Sequence, residues 1–294
     1  MLFTDWSETA FWRTTTICNK DYLAQPGPKS VLTTMPGWQL DRTRIDDMHC
    51  TKLGLGHHVI GGSLVYFVSL RAYMYLGPAV LETMPPNASQ RDILGDLSLR
   101  FKEWLKDHSL NYSIKRFTVK RLHRDTNSSY PFFNCKAAQT APLVAWLADL
   151  MLQWTECCPP AEKETALITA NMLWGLSRYF WICKNGGRFF TPVERNEIHE
   201  SGHTFLFMYS ELRRLSHEKG TFLWQIIPKF HQYHHLILDA VADGCNPRFF
   251  HCFGDEDQVG RMLKIARASH ATTVVFNTVT LFWIGLVRRL SSLG

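Results

Sequence analysis

The sequence predicts a mainly α-helical protein with a few short strands on its N-terminal side. Three observations lead there. From residue 140 onward, apolar residues recur at helical spacing over long stretches. The joints between those stretches carry helix breakers: Pro159-Pro160, Asn185-Gly186-Gly187, Gly220 and Asn246-Pro247. Apolar residues make up 46% of the 294 positions and charged residues 20%, which suits a packed core and excludes a disordered chain.

In chain order, residues 1–45 are irregular, broken by Pro26, Gly27, Pro28, Pro36 and Gly37; Leu2-Phe3 before Asp5 could end a short strand, but the run is too short to assign. A first long helix is expected over 57–76, ended by Gly77-Pro78. Ser89 suits the N-cap of a second, running to residue 106, with Leu94, Leu97, Phe101, Trp104 and Leu105 as its apolar stripe. Over 113–122, Ile114, Phe117, Val119 and Leu122 alternate with Lys and Arg, a pattern that fits a strand or a basic helix equally. Six further helices are expected over 140–154, 162–184, 193–219, 223–243, 256–269 and 272–290. Pro192 suits a first helical turn, and Pro228 marks either the true start of its helix or a kink.

The net charge of +6 is mild, but Lys115, Arg116, Lys120, Arg121 and Arg124 concentrate positive charge within ten positions. Such a cluster is a solvated face or a contact for phosphates. The eight cysteines have no C-x-x-C pair and no regular spacing, which suits reduced thiols inside a cell, in nucleus or cytoplasm. The apolar stretch 271–287 is short for a bilayer and contains Asn277, so a buried helix is the expectation; Arg288 and Arg289 after it leave a C-terminal anchor open.

Potential chemistry concentrates in 228–261, which holds His231, His234, His235, His251, Cys245, Cys252 and the triplet Asp255-Glu256-Asp257. The bland readings are a packed helix face for the histidines and a helix N-terminus for the acids. A separate H-E-x-x-H string, His199 to His203, would put two zinc ligands on one helix face with Glu200 as base and Glu211 or Glu218 as third ligand. Phosphate-loop, dinucleotide and nucleophile-elbow motifs are absent, so nucleotide hydrolysis and serine-hydrolase chemistry have no support.

Asp46-Asp47-Met48-His49, followed by Leu53-Gly54-Leu55-Gly56-His57-His58-Val59-Ile60, resembles the D-x-x-H segment of CACTA-type and related eukaryotic cut-and-paste transposases. Lys229-Phe230-His231, His235-Leu236, the turn Gly244-Cys245-Asn246-Pro247 and the aromatic run ending at Glu256 follow in the order such enzymes show. The chain is similar in the same way to uncharacterised transposon-like proteins of dinoflagellates. The resemblance covers about 38–80 and 222–270. It implies a truncated RNase H-like core with a large helical insertion: 1–80 a partial core segment, 81–221 the insertion, 222–294 the helices returning to the core. Such enzymes use two Mg²⁺ ions for phosphoryl transfer. The resemblance assigns Glu256, Asp46 and Asp5 to catalysis, Asp46 and Glu256 to the metal, and His49 to support. An upstream catalytic aspartate has no counterpart, so the implied protein is transposase-derived, catalytically defective and DNA-binding through the 115–124 cluster. Mg²⁺ would be its cofactor only if it were active, with no membrane and no small-molecule cofactor expected. The alternatives are an α-helical interaction module without chemistry, and the zinc hydrolase of His199, Glu200 and His203.

Overall fold

Helices carry this fold, and most begin where the local chemistry demands. The computed structural model describes residues 4–40, 43–70, 88–112, 114–124, 126 and 128–291, apart from the side chains of 253–257, 289 and 290. The chain forms two compact units, Met1–Phe250 and His251–Gly294.

In the first unit, a short helix α1 (Asn19–Ala24) lies between 3₁₀ turns at Phe11–Thr15 and Val31–Thr34. A π-helical segment, Met48–Leu55, continues without a break into α2 (Gly56–Ser69). Every residue from Gly56 to Val68 is buried, as a helix that is apolar on all sides requires. α3 (Gln90–Asp107) opens with a capping box, the Ser89 hydroxyl and Asp92 carboxylate each satisfying the other's backbone N–H. α4 (Ala137–Cys157), α5 (Lys163–Asn185), α6 (Pro192–Glu218) and α7 (Pro228–Asp243) follow, each packing on the next. Thr191 and Glu194 form a second capping box, with Pro192 in the first turn as expected.

Two glycines set how closely these helices approach. A Cβ on Gly175 would stand 2.7 Å from the Ser201 carbonyl of α6, and one on Gly202 would stand 2.4 Å from Ile237 Cδ1 of α7. Gly202 of the H-E-x-x-H string is therefore a helix-packing residue. The core gathers Leu64, Phe67, Phe101, Leu147, Trp154, Leu176, Phe205, Tyr209, Phe230 and Tyr233.

In the second unit, α8 (Phe253–Ala268) packs on α9 (Val274–Ser291). Among the described residues, no helix is long and apolar enough to cross a membrane.

Several expectations need correction. Among the described residues the only β-pairing is an isolated antiparallel bridge between Phe189 and Cys245, so no strand forms over residues 4–40, which close local 3₁₀ and helical turns instead. Leu2-Phe3 and the 71–76 end of the first predicted helix lie outside the described residues. Residues 114–122 become neither strand nor α-helix, and Val119–Leu122 forms a 3₁₀ turn; Ser113 lies outside the described residues. The helix predicted from 223 starts at Pro228, because residues before it turn their backbone to α6: Leu223 N–H donates to Ser216 Oγ at 3.2 Å and Gln225 C=O accepts from Tyr209 Oη at 2.9 Å. The divisions expected at 80 and 221 both lie within the unit Met1–Phe250.

Candidate nucleic-acid interface

The basic segment after α3 is pinned by its apolar residues. Phe117, Leu122 and Phe133 are buried, and backbone bonds join Phe132 N–H to Leu122 C=O at 2.9 Å and Asn134 N–H to Arg121 C=O at 3.0 Å. Its cations are left outside or at the edge. Lys115, Arg116 and Lys120 are exposed, while Arg121 and Arg124 are half-buried.

Lys115 and Arg121 line an open cavity of about 430 Å³ with Asn134, Cys135, Lys136 and Gln139. The Arg121 guanidinium is fixed there: Nη1 donates to Lys115 C=O at 3.0 Å, Nε to Asn134 C=O at 3.1 Å, and its carbon lies 5.0 Å from the Phe133 ring centre. Burial lowers its pKa and that of Arg124, yet a guanidinium keeps its charge. Lys136 immediately precedes α4, whose first N–H groups carry the positive end of the helix dipole. Among the described residues, three cations line this cavity and no carboxylate does. Burial pushes the Cys135 thiol up to about 11, so it is not a nucleophile at neutral pH. The arrangement suits holding an anion. Arg116 lies apart, its guanidinium over Gly95 of α3. Sequence reasoning missed Lys136, whose only sequence signal is its place before a helix start.

The D-x-x-H pair does come together. His49 Nδ1 and Asp46 Oδ2 are in contact, and Asp46 Oδ1 accepts from Met48 N–H at 2.9 Å. Lys229, from the Lys-Phe-His motif far along the chain, donates its ammonium to His49 C=O at 2.8 Å. Those two motifs therefore meet, and the contact joins α7 to the start of the π-helical segment. Asp5 is elsewhere employed: its exposed carboxylate accepts from Ser7 N–H at 3.0 Å and Ser7 Oγ at 2.7 Å, which holds its pKa below the ordinary value. The Glu256 side chain lies outside the described residues. A Mg²⁺ centre wants several oxygen ligands in near-octahedral geometry. Asp5 and Asp46 each serve a local turn, so the described residues do not fit that group.

The H-E-x-x-H string is likewise committed. His203 Nδ1 faces His199 C=O at 2.9 Å, and its Nε2 faces His234 Nε2 at 3.2 Å. Glu200 accepts from Asn196 at 2.9 Å, and Arg214 forks between Glu211 and Glu218.

Two other residues escaped sequence reasoning. Asp47 is buried, its Oδ1 accepting from Tyr179 Oη at 2.9 Å and Thr51 Oγ1 at 3.1 Å, and burial raises its pKa against the pull of Lys52. Asn246 is fully buried and its amide donates to the carbonyls of Cys183 and Gly187 at 3.0 Å, closing the C-terminus of α5. Among the described residues no disulfide is formed. No known protein family, curated protein or solved structure matches the chain.

Proposed function

We propose that this chain binds nucleic acid through phosphate contacts, as a transposase-derived protein that has kept DNA affinity without strand cleavage. The carrying observation is the cavity at the start of α4, where Lys115, Arg121 and Lys136 converge from three places in the sequence and no carboxylate lies among the described lining residues. The derivation from a CACTA-type transposase, with a remnant RNase H-like core, rests on the order of motifs from Asp46 to the 244–256 turn. Fluorescence anisotropy with duplex DNA tests the binding. Two or three phosphate contacts predict a log–log salt slope of about −2 to −3 between 50 and 200 mM salt, and K115E or K136E should each reduce that slope by about 1. Absence of binding at low salt, or binding untouched by both variants, overturns the reading.

A second reading, the helical interaction module, has its own observation. Leu167, Trp174 and Trp181 recur every seven residues along α5 and are all exposed. If W174A and W181A together abolish recovery of a protein partner while DNA binding is absent, the module reading replaces the first.

A further inference from the structure

A second feature lies where the N-terminal segment crosses α6 and α7. Trp6, Ala10 and Trp12 are buried there. Trp6 Nε1 donates to Ser210 Oγ of α6 at 3.0 Å, and Trp12 Nε1 to Asp5 C=O at 2.8 Å. The Trp12 ring stands edgewise to three histidines of α7, its centre 4.7 Å from His231, 5.5 Å from His234 and 4.9 Å from His235. Trp6 meets His234 at 5.5 Å. The histidines themselves form two pairs: His203 Nε2 to His234 Nε2 at 3.2 Å between α6 and α7, and His231 Nε2 to His235 Nε2 at 3.1 Å along α7.

Each pair has room for a single shared proton. A neutral imidazole has one donor and one acceptor nitrogen. His203 Nδ1–H donates to the His199 carbonyl, so its Nε2 is a lone pair that accepts from His234 Nε2–H. An added proton must go to His203 Nε2, opposite another N–H, or to His234 Nδ1, which is buried with no hydrogen-bond partner. His231 Nδ1 is buried and unpartnered in the same way. The charged and titratable groups around the cluster are Asp5, Glu8 and Arg13 on the crossing segment and His199 on α6. Burial is the largest cause depressing all four paired histidines, with Arg13 adding repulsion at His203, His234 and His235; His234 falls to about 3. Among the described residues neither pair gains a third histidine, cysteine or carboxylate donor, and Arg13 would repel a cation, so the cluster is arranged for protons rather than for a metal ion.

We infer that residues 4–16 form a proton-released strap: acidification charges the histidine pairs, and the strap lifts from the α6–α7 face. The closed state binds fewer protons than the open one, so closure is complete above the ordinary histidine value of about 6.5 and is lost as pH falls below it. One proton taken up per pair on opening lowers the closed-to-open ratio about a hundredfold between pH 7.5 and 5.5.

Hydrogen exchange on the full chain at pH 7.5 and 5.5, corrected for the intrinsic rate, reads this directly. Protection of residues 6–16 should fall about a hundredfold, while α5 keeps its protection. Unchanged protection of the strap, or its loss together with α5, overturns the inference. H203Q/H231Q leaves one titrating partner fewer in each pair and should flatten the pH dependence. Should that variant not fold, R13Q serves, since removing the half-buried guanidinium should move opening to lower pH. An unshifted profile in R13Q also overturns the inference.

Discussion

Tyr179→Phe tests the buried network beneath the D-x-x-H segment. The substitution deletes one hydroxyl and keeps the ring, which packs on Tyr233 at 4.9 Å and on Phe180 at 5.9 Å, so it opens no cavity of consequence. What is lost is the 2.9 Å bond into Asp47, whose carboxyl is only 2% exposed. A neutral hydrogen bond is worth about 1 kcal/mol, and stripping a buried charge of its partner costs about 3–5 kcal/mol. Thr51 stays on the same oxygen at 3.1 Å, and Lys52 still acts on the group, so the expected loss lies between these limits, at about 2 kcal/mol. Urea unfolding at pH 7, followed by tryptophan fluorescence, measures it as a lowered midpoint at constant slope. In a double-mutant cycle with Asp47→Asn, the pair should show coupling on the order of 1 kcal/mol. A loss below about 0.5 kcal/mol, or zero coupling, would refute the claim that this bond stabilises the buried carboxyl.

Other perturbations follow from the same contacts. Because burial raises the Asp47 pKa, its contribution is fully present below the ordinary carboxylate value and lost as pH rises through the folded value; D47N should gain stability relative to wild type as pH rises above the ordinary carboxylate value, and an opposite trend in urea midpoints would contradict this. Gly202→Ala places a methyl 2.4 Å from Ile237 Cδ1, an overpacking cost of about 1–3 kcal/mol offset by about 1 kcal/mol of helix propensity, and Ile237→Val should restore part of the melting temperature. Asn246→Ala orphans the carbonyls at the end of α5 and should cost about 2–3 kcal/mol in the same unfolding assay.

Much of the helical frame was legible in the sequence because its signals are local. Ser89 announces a helix start as an N-cap, and Pro192 fits its first turn without a long-range contact. Residues 113–122 were not legible, because Phe117 and Leu122 reach the core while the backbone bonds to residues 132 and 134. The same holds for 221–227, where side chains of α6 claim the backbone bonds a helix would have made.

A helical chain with a basic segment and a histidine-rich stretch could be read from residue order alone, since composition, periodicity and capping depend on neighbours along the chain. What those features became was set by how the helices pack. Lys136 joins Lys115 and Arg121 because the start of α4 lies against the loop, and His203 meets His234 because Gly202 lets α6 and α7 close on Ile237. Distances between residues far apart in the chain are set by how helices pack, and no local pattern encodes them.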